Sequence, residues 1–229
     1  MRNDMAGNDI RTLGYVLRRT NYGEADRILN LITSNGKLSA IAKGVRKEKS
    51  KLAGSIEMFT LTDFNIHQGR SEFGIITGAK MVEHYGEILK DFNRLEKASL
   101  ILKKISLVSE NSDSPEYFKI VQQCLKGLNS GMDEGLVYGW FSLNVSRAMG
   151  EEVNLYRDVT GRKLLAELKY SWDGLAGGFI EDTRGEYGEN EIKLLRMMAS
   201  TSLGVVNKVK ANEEIFLRVF SLIKIATSL

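Results

Sequence analysis

Ile28-Leu29-Asn30-Leu31-Ile32-Thr33-Ser34-Asn35-Gly36-Lys37-Leu38-Ser39-Ala40-Ile41-Ala42-Lys43 decides the fold. Ile28 to Thr33 is β-branched and apolar, as a buried strand requires. Asn35-Gly36 is the strongest short hairpin signal, because both residue types tolerate positive φ. The return strand alternates with period two. Leu38, Ala40 and Ala42 make one face; Lys37, Ser39, Ile41 and Lys43 make the other. A core face is thereby separated from a wet, partly basic one.

The flanking sequence continues the β pattern. Upstream, Leu13, Tyr15 and Leu17 alternate with Gly14, Val16 and Arg18. Downstream, a polar loop from Gly44 to Gly54 precedes a long strand expected over Ile56 to His67. Its alternation slips at Met58-Phe59 and Asp63-Phe64, which suggests bulges of the kind small barrels need. Gly69-Arg70 marks a turn, and Phe73 to Val82 closes the set. About five strands with one long basic loop fit a small OB-type Greek-key barrel.

From about Glu87 the apolar period becomes 3.6. Ala98, Ile101, Leu102, Ile105 and Val108 share one helical face. Ser114-Pro115-Glu116 is a helix start, with a capping hydroxyl, a proline suited to the first turn and an acid at the positive dipole end. Further helices are expected around Trp140 and Phe141, around Ile192, Leu195 and Ala199, and around Ile215, Val219 and Leu222. The expectation is an α+β chain: an OB-type barrel over residues 1–85, then a helical domain over 86–229 whose Gly-rich segment 151–188 is irregular.

The net charge of +3 is unevenly spread: residues 1–85 hold 13 Lys/Arg against 9 Asp/Glu, and the remainder 19 against 20. Between Lys37 and Lys51, six cations face Glu48 alone. Potential falls off over a Debye length of roughly 8 Å, so such clustering is what a phosphate-binding surface needs. A solvated basic loop is the bland alternative. Cys124 is the single cysteine, which rules out an internal disulfide and a cysteine-rich zinc site and suits a reducing cytosol. The polar stretch Met1 to Ile10 lacks the apolar core of a signal peptide, and no apolar run reaches the roughly 20 residues of a membrane span. The expected location is cytoplasmic, with no membrane partner.

Two stretches carry a family resemblance. Val16-Leu17-Arg18-Arg19-Thr20-Asn21-Tyr22-Gly23-Glu24-Ala25-Asp26-Arg27-Ile28-Leu29 and Gly36-Lys37-Leu38-Ser39-Ala40-Ile41-Ala42-Lys43-Gly44-Val45-Arg46 resemble the opening of RecO proteins. Lys51-Leu52-Ala53-Gly54 and Phe59-Thr60-Leu61 continue the pattern in order, and Thr160-Gly161, Gly177-Gly178-Phe179 and Lys193-Leu194-Leu195-Arg196 follow it more weakly. The resemblance implies an N-terminal OB fold and a helical C-terminal domain. It also implies a recombination mediator of DNA repair that binds single- and double-stranded DNA, anneals complementary strands and helps load recombinase onto DNA coated by single-strand binding protein. The implied partners are RecR and the C-terminal tail of single-strand binding protein.

Many members of that family bind zinc through two Cys-x-x-Cys pairs in the irregular segment. Here Arg157 and Thr160 align with the first pair, and Glu181 and Arg184 fall near the second. None is a thiolate, so no four-sulfur site can form and neither metal nor cofactor is expected. Packing around Tyr170, Trp172, Phe179 and Tyr187 is expected to hold the segment instead.

Arg18, Arg19, Arg27, Lys37, Lys43, Arg46, Lys47, Lys49 and Lys51 are the candidate DNA-binding residues, each able to neutralise a phosphate and release counterions. Tyr22 has two readings, a base-stacking platform or a ring packed on the barrel rim. Among the helices, an acidic, apolar partner tail needs an apolar slot beside a Lys or Arg; residues 92–149 offer Trp140, Phe141, Lys103, Lys104 and Lys119. Catalytic motifs are missing. Lys49-Ser50 lacks the preceding glycine of a phosphate-binding loop, and Glu24 with Asp26 beside Arg27 reads as a salt bridge or cap. Two other readings stay open: a protein-interaction scaffold with weak DNA affinity, and a metal-dependent nuclease with an unrecognised site.

Overall fold

The computed structural model describes residues 8–111 and 114–227. Strands β1 (Asn8–Tyr22), β2 (Asp26–Thr33), β3 (Gly36–Ala42), β4 (Thr60–Gln68) and β5 (Gly74–His84) close a barrel in the order β1-β2-β3-β5-β4. Every neighbouring pair is antiparallel except β3 and β5, joined by the short parallel register Ala40↔Gly74 and Ile41↔Ile75. A Cβ on Gly74 would lie 2.6 Å from Ile66 Cγ2, so the closure needs a bare backbone there. Val16, Leu29, Leu31, Ala40, Ala42, Phe64, Ile66 and Ile76 fill the interior, as the period-two reading of β3 requires.

Three local details differ from the sequence reading. The loop of the β2–β3 hairpin is Ser34-Asn35, and Gly36, with φ of 105°, already pairs with Thr33. The Thr33 hydroxyl closes this turn, donating to Gly36 O at 2.7 Å and accepting from Asn35 N at 3.1 Å. The left-handed conformation therefore falls on the glycine alone, where it costs least. The long strand expected from Ile56 begins only at Thr60, because Phe59 takes φ of 59° and a 3-10 turn occupies Ala53–Ser55. Ile56 instead turns into the barrel core. Bulges fall between Val16 and Arg18, Leu61 and Thr62, and Asn65 and Ile66, not at the expected slips: Met58-Phe59 precedes β4, and Asp63 and Phe64 stay in register with Lys80 and Ala79. The first bulge leaves Val16 and Leu17, adjacent in sequence, both buried.

The chain divides into two compact units, residues 1–129 and 130–229, so the break in packing falls beyond the β-to-α change near residue 85. The first unit adds helices α1 (Phe92–Asn111) and α2 (Glu116–Asn129) to the barrel. Ala98, Ile101, Leu102, Ile105 and Val108 are all buried, and Ser114 Oγ accepts from Glu116 N at 3.3 Å at the start of α2. Helix and barrel meet where the rings of Tyr15 and Phe118 lie 5.4 Å apart.

The second unit holds α3 (Glu134–Ala148), a hairpin of β6 (Tyr170–Asp173) and β7 (Gly178–Glu181), α4 (Glu189–Ser200), a single turn α5 (Leu203–Val206) and α6 (Glu213–Ala226). Asp133 and Asn212 cap α3 and α6 by accepting from Leu136 N and Ile215 N. Segment 151–188 is thus not irregular throughout. Its four-residue strands are too short to show a period, and side-chain turns build the rest. Phe179 is the hub, with its ring 6.2 Å from Tyr170, 5.3 Å from Trp172 and 5.8 Å from Tyr187.

Candidate nucleic-acid interface

One end of the barrel gathers most of the candidate cations. β1 runs into β2 through Gly23-Glu24-Ala25, and the loop after β3 folds back onto that turn. Asp26 Oδ1 accepts from Gly44 N at 2.7 Å, so this carboxylate caps the loop. Arg46 N donates to Ala25 O at 2.9 Å, and Arg46 Nη1 reaches Gly23 O at 3.3 Å. Val45 and Ile56 anchor the loop in the barrel core, and Leu52 and Ala53 pack against it. Lys43, Arg46, Lys47, Lys49 and Lys51 are left exposed on a fixed backbone, with Glu48 among them.

The remaining candidates take different positions. Arg27 sits at the same end, opposite Ala42, and its Nε donates to Asn21 Oδ1 at 3.3 Å. Arg18 is exposed on β1, whereas half-buried Arg19 is paired with Glu57. Lys37 lies opposite Ile32 at the other end of β3, about 20 Å along the strand from Lys43 at roughly 3.3 Å per residue. The barrel does not bring Lys37 to the cluster. Tyr22 is 52% exposed, a position that periodicity could not assign.

In the second unit the positions aligned with zinc ligands are engaged otherwise. Asp158 Oδ1 accepts from Thr160 N at 2.9 Å, Thr160 Oγ1 at 2.7 Å and Arg162 N at 2.9 Å, and Oδ2 accepts from Arg162 Nε at 3.2 Å. Arg157 Nη1 donates to Gly161 O at 2.8 Å. In the second turn, Asp182 accepts from Arg184 N at 2.9 Å and from Ser171 Oγ at 2.7 Å. Arg162 joins the turns through Glu181 at 3.7 Å. The Thr160 hydroxyl, followed by backbone donors and Arg162, holds the Asp158 carboxyl below its usual range. The Ser171 hydroxyl does the same for Asp182. These residues do not fit zinc, and among the described residues no group of three or more His, Cys, Asp or Glu is placed to hold a metal.

Trp140 and Phe141 are core residues, 2% and 0% exposed, and so form no open slot. The Trp140 indole donates to Thr201 O at 2.9 Å. No helix among the described residues is long and apolar enough to cross a membrane.

A five-stranded closed barrel with a helical C-terminal region places the chain among OB-type barrel proteins joined to a helical body. Residues 5–85 match the family model described as Recombination protein O N terminal, and residues 89–224 match Recombination protein O C terminal. A DNA repair protein RecO of Dehalococcoides mccartyi (strain CBDB1) is 27% identical over 220 residues, covering 91% of this chain and 85% of the relative. That of Roseiflexus sp. (strain RS-1) is 29% identical over 171 residues, 74% of this chain and 60% of the relative. That of Bifidobacterium longum (strain NCC 2705) is 35% identical over 122 residues, 52% of this chain and 51% of the relative. The chain belongs to the RecO family of DNA repair proteins, which are non-enzymatic recombination mediators. Family membership implies DNA binding.

Proposed function

We propose that the basic end of the barrel is the DNA interface, through which the protein binds single- and double-stranded DNA and anneals complementary strands in the cytoplasm. Lys43, Arg46, Lys47, Lys49 and Lys51, with Arg18 and Arg27, carry the contact; Arg19 and Lys37 contribute less, one being paired and the other remote. The observation behind this reading is the tethered loop. Gly44 and Arg46 are tied to the β1–β2 turn at 2.7 and 2.9 Å, so five exposed cations are held on an ordered backbone. Each phosphate neutralised releases counterions, and little backbone order need be gained because the loop is already fixed. Among the described residues no recognition helix accompanies the cluster, so binding is electrostatic and tolerant of sequence.

Residues 86–229 are assigned to partner capture, with RecR and the C-terminal tail of single-strand binding protein as the partners. This assignment rests on family membership and on the near-neutral charge of that region, 19 Lys/Arg against 20 Asp/Glu. The test is annealing of complementary strands precoated with the cognate single-strand binding protein. The protein should accelerate it, and the double variant Lys47→Glu/Lys49→Glu should lose most of that acceleration. An equal rate with and without the protein would exclude the annealing role.

A further inference from the structure

We infer that Tyr22 is a base-stacking residue that adds affinity for single-stranded DNA to the basic end of the barrel. The inference rests on the interface proposed above. The β1–β2 pairing sets the geometry. After the bulge at Leu17, β1 runs in register with β2 from Arg18↔Asn30 to Tyr22↔Asp26. Alternation along this arm puts Arg18, Thr20 and Tyr22 on one face, and all three are exposed. Arg19 and Asn21 take the other face, where they are occupied by Glu57 and Arg27. A cation and an aromatic ring therefore sit in line, with Cα atoms about 13 Å apart at roughly 3.3 Å per residue.

The backbone carrying the ring is fixed. Gly23 follows with φ of 55°, and its carbonyl accepts from the Arg46 guanidinium at 3.3 Å. Opposite Tyr22, the Asp26 carboxylate is taken up by Gly44 N at 2.7 Å. Glu24 remains exposed on the same turn and opposes phosphate approach from that side. An aromatic side chain half in water, beside Arg46 and in line with Arg18, is poorly used as barrel packing. Single-strand binders combine these elements: cations that follow the backbone and a ring that takes a base. A duplex keeps its bases stacked internally, so it gains only the cationic part of the surface.

The experiment uses the full chain with fluorescein-labelled oligo(dT), an abasic strand of equal length and charge, and a duplex of that length. Wild-type protein should bind oligo(dT) more tightly than the abasic strand. Tyr22→Ser should weaken oligo(dT) binding about tenfold, within the range for one lost base–aromatic stack. It should leave abasic and duplex binding, and the salt slope, unchanged, and Tyr22→Trp should restore oligo(dT) affinity. Equal wild-type affinity for oligo(dT) and the abasic strand would overturn the stacking role and leave the electrostatic interface standing. So would an equal loss on all three probes in Tyr22→Ser. Absence of DNA binding by the wild type would overturn both readings.

Discussion

The phenolic oxygens of Tyr15 and Tyr85 lie 3.0 Å apart, joining the first barrel strand to the segment that leaves the last one. Tyr85 also donates to Glu83 at 3.1 Å, and Glu83 pairs with Lys126 of α2 at 3.4 Å. This relay, with the Tyr15–Phe118 ring contact, couples the barrel to α2 and explains why the first unit runs to residue 129. Tyr85→Phe strips Tyr15 and Glu83 of a partner together. It should cost about 1–3 kcal/mol in urea unfolding, and Tyr15→Phe, which leaves Tyr85 bonded to Glu83, about 1 kcal/mol.

The same pair makes stability sensitive to alkali. Burial raises the Tyr15 hydroxyl to about 12 and pushes Tyr85 further up. A raised folded-state value means the native protein holds these protons more tightly than the unfolded chain, whose tyrosines ionise near 10. The contribution is complete below pH 10 and is lost as pH rises toward 12. Melting temperature should fall over that window, and less steeply in the double variant Tyr15→Phe/Tyr85→Phe.

In the second unit, Asp158 and Asp182 organise the turns that thiolates and zinc would hold in other family members. Elemental analysis should find no stoichiometric zinc, and a chelator should leave the melting temperature unchanged. The dependence is on protons instead. Both carboxyls are held below their usual range, Asp158 chiefly by Thr160 and Asp182 chiefly by Ser171. Their contribution is present above about pH 4, the unfolded value, and is lost as pH falls through the lower folded values. Asp158→Asn should flatten this acid limb when near-ultraviolet circular dichroism follows the Trp172 environment.

Gly185 is a steric requirement of the same region. A Cβ there would lie 2.3 Å from Tyr170 O, on backbone that cannot yield like a side-chain tip. Gly185→Ala should destabilise the protein by about 1–3 kcal/mol, as overpacking does. Gly174→Ala, at a position with open space around it, should be close to neutral in the same denaturant titration.

Binding at the basic end should depend steeply on salt. A plot of log K against log salt should be linear with negative slope, and Lys47→Gln/Lys49→Gln should reduce its magnitude by roughly two for two lost phosphate contacts. A slope unchanged by the double variant would remove both lysines from the interface.

The barrel was legible in the chain because alternation is a local property. Leu38, Ala40 and Ala42 face one way on any extended strand, and burying that face leaves little choice of partner. The helical face of Ala98, Ile101, Leu102 and Ile105 was legible for the same reason. The aromatic set around Phe179 could be named because, without thiolates, large apolar side chains were the means left to hold that segment. The hairpin β6–β7 was not legible, since four residues show no period and its turns depend on what Asp158 and Asp182 reach in space.

For the candidate site, sequence alone determined its charge: six cations against one acid between Lys37 and Lys51. Tertiary structure decided which of them act together. Closure of the barrel carries Arg27 and the 43–51 loop to one end, leaves Lys37 at the other, sets Arg18 level with Asn30 part-way along the strand, and joins Arg19 to Glu57. It also leaves Tyr22 about half exposed, at 52%. Charge is a sum over residues and can be read in order along a chain. Adjacency in a closed sheet depends on register and bulges, and these are fixed only when all five strands meet.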